Sequence, residues 1–146
     1  MNTTKKTAIT QPAKTSFPKV YWTQELSLGN EDIDEQHQKL FALTNELIDH
    51  SDAEARSEII NETLYELLQY IDVHFRDEEE MLQKINYPKL EEHKKIHRSF
   101  TKKIAMFCHD VVKGKSKVAE HLLEYLIAWL SQHTSVDDQD YKRYLQ

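Results

Sequence analysis

The segment from His74 to His97 constrains the fold of this chain most strongly, because it carries two pairs of polar residues spaced four positions apart. His74 pairs with Glu78, and His93 pairs with His97; residues at this spacing lie on one face of a helix, one turn apart. Between the pairs, Asn86-Tyr87-Pro88 is a turn signal. The segment therefore predicts two antiparallel helices that bring both pairs to the same depth.

Both pairs fall on the apolar face of their helix. Leu67 and Ile71 precede the first pair on its face, and Phe100 and Ile104 follow the second pair on the other. A charged or polar group buried on a core face without a partner costs several kcal/mol. Four such groups at one level could satisfy one another by hydrogen bonds, and a metal ion would satisfy them better.

Composition narrows the class of protein. A chain of 146 residues is about one domain, and two Gly and three Pro with 39% hydrophobic and 30% charged residues suit an amphipathic helical bundle. The net charge of −6 argues against nucleic acid as a partner. A single Cys excludes an internal disulfide and is compatible with a reducing compartment. No apolar run approaches a membrane span or a signal peptide, so a soluble, cytoplasmic protein is expected.

The order of segments predicts an all-α, up-down-up-down antiparallel four-helix bundle with an extended N-terminal arm. Residues 1–19 have no period and are expected to be a flexible arm, and residues 20–146 are expected to form the bundle domain. An extended stretch over Val20 to Gly29 should pack Trp22 along the bundle. The first helix should begin near Asp32 or Asp34, which are both good N-caps.

The ends of the remaining helices are also predicted. The third helix should start at Pro88 and end near Gly114, and Ser116 is a candidate cap for the fourth. Beyond His133 the sequence becomes polar. The fourth helix should weaken there, so that an acidic residue five positions on could turn back into the bundle.

The first and fourth helices each contribute one more inward histidine. The inward polar set is His37, His74, Glu78, His93, His97 and His133. An acid–base site needs two or three such groups, and a structural zinc site closes at four ligands. Imidazole with carboxylate suits iron, zinc, copper or nickel, and the His-x-x-x-Glu and His-x-x-x-His spacings differ from the Glu-x-x-His of ferritin-like bundles. Two adjacent metal ions fit this set best.

With these motifs in place, the chain resembles the bacterial hemerythrins over about residues 20–142. The matching positions are Trp22, Gly29, Asp34-Glu35-Gln36-His37, Asn45, His74-Phe75, Glu78-Glu79, His93, His97, Trp129-Leu130, His133, Asp138 and Tyr141. The resemblance implies two iron ions bridged by an oxo or hydroxo group, with His93, His97 and His133 on one iron, His37 and His74 on the other, and Glu78 and Asp138 bridging them. Asp137 is a weaker candidate for the second bridge, because the family has its carboxylate five positions after the last histidine.

The resemblance also implies a function. Two octahedral irons with these ligands keep one open position, on the iron with two histidines, and dioxygen binds there reversibly. The implied oxygen pocket is lined by Leu40, Phe75, Trp129, Leu130 and Thr134. Thr134 departs from the family, which usually has Ile at this position, and its hydroxyl is expected to approach the bound oxygen and shorten the life of the oxygenated form.

The expected role is therefore oxygen carriage, storage or delivery to an oxygen-consuming enzyme, without catalysis and with dioxygen as the small-molecule partner. A di-iron enzyme acting on dioxygen, peroxide or nitric oxide is the first alternative, a sensor of the same molecules is the second, and iron donation for cluster repair is the third. The largely apolar pocket disfavours the enzyme, and the lack of an attached signalling domain disfavours the sensor. His50, His109 and His121 fall outside the ligand pattern and are expected at the surface.

Overall fold

Four helices form the body of the protein in a computed structural model that describes residues 17–51, 58–113 and 118–145. They are α1 (Glu31–Asp49), α2 (Glu58–Lys84), α3 (Leu90–Val112) and α4 (Val118–Gln132). Helix α1 packs on α2, α2 on α3, α3 on α4, and α4 returns to α1. This arrangement confirms the predicted four-helix bundle, and the described residues include no strand. None of the described helices is long and apolar enough to cross a membrane.

The start of α1 differs from the prediction. Asn30 is the N-cap, and its side-chain oxygen accepts a hydrogen bond of 3.0 Å from the Ile33 amide. Asp34 instead accepts hydrogen bonds from the Leu28 amide, at 2.8 Å, and from the Ser27 hydroxyl. The prediction of a cap at Asp32 or Asp34 was wrong because Asn30 satisfies the free amides first, which leaves Asp34 to fix the preceding loop.

The connection between α2 and α3 is a tight C-terminal cap followed by a short turn. Asn86 has a φ of 53°, the Tyr87 amide donates to the Leu82 carbonyl, and the Asn86 amide donates to the Gln83 carbonyl. These two bonds are those of a Schellman motif, for which asparagine is an accepted residue. Helix α3 then begins at Leu90 rather than at Pro88, which lies in the turn.

Two apolar clusters fill the bundle, and a polar layer lies between them. The larger cluster contains Leu40 of α1 and Ile71 of α2, and the smaller one contains Ile33 and Leu82. His37 lies between Ile33 and Leu40 along α1. The clusters therefore seal the polar layer from both ends of the bundle.

The segment before α1 is only partly extended. Its backbone is irregular over residues 17–23, forms a 3₁₀ turn at Gln24–Leu26, and places Trp22 against the larger cluster as predicted. The Asn45 side chain fixes the segment to α1, because it accepts from the Val20 amide at 2.8 Å and donates to the Val20 carbonyl at 2.7 Å. Three predictions fall outside the described residues: the arm over residues 1–16, the helix end near Gly114 and the helix cap at Ser116.

Candidate metal centre

The seven side chains expected to bind metal converge in the polar layer between the two clusters. Each is at most 3% exposed: His37, His74, Glu78, His93, His97, His133 and Asp138. Their ligand atoms fall into two groups that share Glu78, and within each group all atoms lie within 4.8 Å of one another. One group is Glu78, His93, His97 and His133; the other is His37, His74, Glu78 and Asp138.

Glu78 presents one carboxylate oxygen to each group. Its Oε2 lies 3.2 Å from His74 Nε2 and 3.7 Å from His37 Nε2. Its Oε1 lies 3.2 Å from His97 Nε2 and contacts His93 Nε2. A carboxylate placed in this way is suited to bridging two cations.

Asp138 has the same two-sided placement from the opposite end of the chain. Its Oδ2 lies 3.1 Å from His37 Nε2, and its Oδ1 lies 3.0 Å from His133 Nε2 and 3.2 Å from His93 Nε2. Neither oxygen has a hydrogen bond of good geometry to any described residue, although Asp138 is 0% exposed. A buried carboxylate without hydrogen bonds needs a cation beside it, so this donor set fits bound metal.

A local change of helix type brings Asp138 to the site. In an α-helix, residues five positions apart point to different faces, so His133 and Asp138 would diverge. Residues His133–Asp137 form a π-helical turn, and the Asp138 amide donates to the His133 carbonyl at 2.8 Å. The wider turn lets both side chains face inward, and π-turns of this kind occur frequently at functional sites. The predicted weakening of the helix after His133 is thus an ordered change of helix type.

Burial and charge shift the protonation of this cluster. Burial alone would lower the pKa of His37, but the nearby carboxylates of Asp138 and Glu78 outweigh burial and raise that pKa to about 9. At His93 and His133 nearby carboxylates also outweigh burial, and they raise the pKa of His93 to about 9 and that of His133 to about 10. Although burial opposes it, the surrounding imidazoles hold the pKa of Asp138 below its usual value. The metal-free cluster therefore holds protons at neutral pH, and a metal ion has to displace them.

Outer partners orient three side chains of the cluster. His74 Nδ1 lies 2.7 Å from Gln36 Oε1, His133 Nδ1 lies 3.2 Å from Asp137 Oδ2, and the Tyr141 hydroxyl donates to Glu78 Oε2 at 3.2 Å. Asp137 thus contacts the outer nitrogen of His133, and Asp138 faces the centre of the cluster. Gln36 was not assigned a role from the sequence, although it lies directly before an inward histidine in the Asp34–His37 run that carries the resemblance.

Side chains of the expected oxygen pocket form an apolar wall beside the histidine and carboxylate cluster. Phe75 stacks on His97 with ring centroids 3.8 Å apart, and Trp129 stacks on His133 at 4.4 Å. Of the remaining expected lining residues, Leu40, Leu130 and Thr134 are all buried.

Thr134 does not present its hydroxyl proton to this wall. Its Oγ1 donates a hydrogen bond of 2.8 Å to the Leu130 carbonyl within its own helix. This hydrogen bond argues against the expected approach of the hydroxyl to bound oxygen, because a buried hydroxyl on a helix finds a backbone carbonyl one turn away.

The other histidines do not join the cluster. His109 and His121 are exposed as predicted, whereas His50 is half-buried at the C-terminal end of α1. Glu79 is half-buried, and its Oε1 lies 3.9 Å from His97 Nδ1.

Comparison with known proteins agrees with this geometry. The family described as "Hemerythrin HHE cation binding domain" matches residues 28–145. A bacteriohemerythrin from Clostridium acetobutylicum is 32% identical over 124 residues, which cover 82% of this chain and 96% of that protein. A myohemerythrin from Theromyzon tessulatum is 34% identical over 128 residues, covering 86% and 94%, and a hemerythrin-like protein from Naegleria gruberi is 32% identical over 130 residues, covering 88% and 96%.

Fold and site together define a helical-bundle protein with a buried cluster of imidazoles and carboxylates suited to non-haem metal. Because the family and the relative from Clostridium acetobutylicum both match most of this chain, the chain belongs to the hemerythrin family.

Proposed function

We propose that this protein binds dioxygen reversibly at a non-haem di-iron centre and serves in oxygen carriage, storage or delivery. The observation that carries the proposal is the two-sided placement of Glu78 and Asp138, each with one oxygen toward each group of histidines. Two bridging carboxylates require two cations, and five imidazoles give those cations a nitrogen-rich environment that suits iron.

The residues supply ligands unequally to the two positions. His93, His97 and His133 would hold one iron, and His37 and His74 the other, with both carboxylates shared. The seven residues would offer nine donor bonds, five from imidazoles and four from the two shared carboxylates, and the side with two histidines would be the less fully ligated one. Iron held on that side would supply the reversible change of oxidation state that oxygen binding requires.

The protein's own contribution is to hold the ligands and to exclude water. The ligands are almost fully buried, Phe75 and Trp129 stack on two of the imidazoles, and Leu40 and Leu130 belong to the larger apolar cluster. A dry apolar wall disfavours charge separation and protonation next to the metal, which favours release of unchanged oxygen over its reduction. This supports carriage over the alternatives of a di-iron enzyme or a sensor.

The same proposal covers the organisation of the chain. We propose that residues 20–146 constitute the hemerythrin-like domain, with residues 1–19 outside it, and that the domain acts in the cytoplasm. Dioxygen is its small-molecule partner, and an oxygen-consuming enzyme is the natural recipient.

An optical titration tests the function. Protein loaded with Fe²⁺ under anaerobic conditions is scanned before and after the addition of air, and again after deoxygenation. The proposal expects a charge-transfer band that appears with air and disappears on deoxygenation over repeated cycles. Continuous consumption of added reductant and oxygen would indicate the enzyme instead, and no spectral response to air would contradict oxygen binding.

A further inference from the structure

The Gln36 side chain joins the metal cluster to a surface carboxylate through two hydrogen bonds. Its Oε1 lies 2.7 Å from His74 Nδ1, and its Nε2 donates to Asp77 Oδ2 at 2.8 Å. Gln36 and Asp77 are both half-buried and line a groove of about 490 Å³ between α1 and α2. A chain of three side chains, Asp77–Gln36–His74, therefore runs from this groove to the ligand cluster.

The direction of the two bonds fixes the tautomer of His74. A glutamine amide can turn by half a rotation and exchange its oxygen for its NH₂ group. The Asp77 carboxylate only accepts hydrogen bonds, so the NH₂ group must face Asp77 and the oxygen must face His74. His74 Nδ1 then carries the proton, and His74 Nε2 keeps a free lone pair directed at the cluster, where it lies 3.2 Å from Glu78 Oε2.

The outer partners of the two histidine groups are chemically different. His133, in the three-histidine group, has the Asp137 carboxylate at its outer nitrogen, and His74, in the two-histidine group, has the neutral amide of Gln36. His37 Nδ1 has no hydrogen-bond partner among the described residues. A carboxylate partner makes an imidazole a stronger donor than an amide does. Within the two-histidine group, Gln36 is thus the one described side chain that orients an imidazole from outside.

We propose that Gln36, held by Asp77, is a positioning residue that sets the tautomer of His74 and thereby the affinity of the two-histidine metal position. This inference rests on the proposed di-iron centre. Loss of the Gln36 carbonyl would let the His74 proton move to Nε2, where it blocks coordination. The effect would be confined to one of two metal equivalents, since no ligand of the three-histidine group contacts Gln36 in the described hydrogen bonds.

A metal titration of the full chain tests the proposal. Apoprotein is titrated anaerobically with Fe²⁺ in competition with a chelator, and the two equivalents are resolved. Gln36→Leu should weaken one equivalent by about tenfold to a hundredfold and leave the other unchanged. Asp77→Ala should weaken the same equivalent by a smaller factor, because the amide then samples both orientations. Gln38→Leu on the exposed face of α1, and Asp72→Ala on the exposed face of α2, are the matched controls and should change neither equivalent.

A paired exchange separates positioning from simple packing between α1 and α2. Gln36→Glu alone places a second carboxylate against Asp77 and should weaken binding. Combining it with Asp77→Asn restores a donor opposite a carboxylate, and this double variant should regain at least the parental affinity for that equivalent. A packing role does not predict such rescue.

The histidine tautomer gives a readout that does not depend on iron. Nitrogen-15 shifts of His74 in the metal-free chain should report a protonated Nδ1 in the parent and in Gln38→Leu, and a mixture of tautomers in Gln36→Leu. Unchanged affinity and tautomer in Gln36→Leu, or equal weakening of both equivalents, would overturn the proposal. A parent that binds no second iron would instead contradict the proposed function itself.

Discussion

The Thr134 hydroxyl donates a 2.8 Å hydrogen bond to the carbonyl oxygen of Leu130, one turn earlier in the same helix. The hydroxyl is fully buried, and its one proton is therefore committed to the backbone. The polar atom of threonine therefore adds less polarity to the expected oxygen pocket than its chemistry alone indicates.

The first prediction concerns the lifetime of the oxygenated protein. Thr134→Val removes the hydroxyl and keeps the shape, so the decay of the oxygenated absorption band should stay within about twofold of the parent at fixed pH. The lost side-chain bond should change the free energy of unfolding by only about 1 kcal/mol. If Thr134→Val lengthens the lifetime many times over, the hydroxyl acts on the pocket despite its bond to Leu130.

The second prediction separates two adjacent carboxylates. Asp138→Asn removes a charged group with one oxygen toward each set of histidines, and iron content should fall from two per chain to one or none. Asp137→Asn, the matched control, keeps an acceptor for His133 Nδ1 and should retain two irons with affinity lowered by about tenfold or less. Metal analysis of both purified variants decides this, and the reverse ranking would contradict the assignment of Asp138.

The third prediction concerns histidines. His37→Ala and His74→Ala each remove one of the two imidazoles from the position where oxygen should bind, so both variants should lose the response to air. His109→Ala and His121→Ala change exposed residues and should retain the parental spectrum. A normal oxygenated spectrum in His74→Ala would show that oxygen binds elsewhere.

The fourth prediction is a pH dependence of the metal-free protein. The pKa values of His37, His93 and His133 are raised from 6.5 to about 9, 9 and 10, because their carboxylate contacts outweigh burial. A histidine whose pKa is raised in the folded state stabilises the fold when it is protonated. This contribution is fully present below about pH 6.5 and is lost as the pH rises through 9 to 10. The melting temperature of the apoprotein should therefore fall by several degrees between pH 7 and 10.

Metal loading should reverse this trend. Bound iron replaces the protons, so the loaded protein should melt above the apoprotein, and the difference should widen as the pH rises from 7 to 9. His121→Gln, which changes an exposed histidine, should keep the apoprotein trend, and His37→Gln should weaken it. If the apoprotein instead became more stable as the pH rose towards 10, protonated histidines beside carboxylates would not be what stabilises the cluster.

Much of the fold could be predicted because helix periodicity and ligand spacing point to the same faces. His37, His74, His93, His97 and His133 lie on apolar stripes, and packing those stripes together necessarily brings the imidazoles to one layer. The approach of an acidic residue after His133 was also predictable. Its mechanism was not, because a π-turn depends on which hydrogen bonds the packed bundle allows at that point.

Hydrogen bonds for which several nearby side chains compete could not be predicted from the sequence. Asn30, Asp32 and Asp34 all qualify as caps by residue type, and only the path of the loop makes Asn30 the cap and Asp34 the acceptor for Leu28. The chain from Asp77 through Gln36 depends on side chains from two helices whose rotation is set by the whole core. Sequence spacing assigns a residue to a face, but it does not assign the hydrogen bonds at the edge of that face.

Oxygen stoichiometry tests the central claim most directly. Protein with measured iron content is reduced anaerobically, and the dioxygen taken up on exposure to air and released on evacuation is quantified. The account predicts one dioxygen per chain for every two irons, recovered as dioxygen over repeated cycles. Uptake without recovery, or one dioxygen bound per single iron, would contradict a reversible di-iron oxygen site bridged by Glu78 and Asp138.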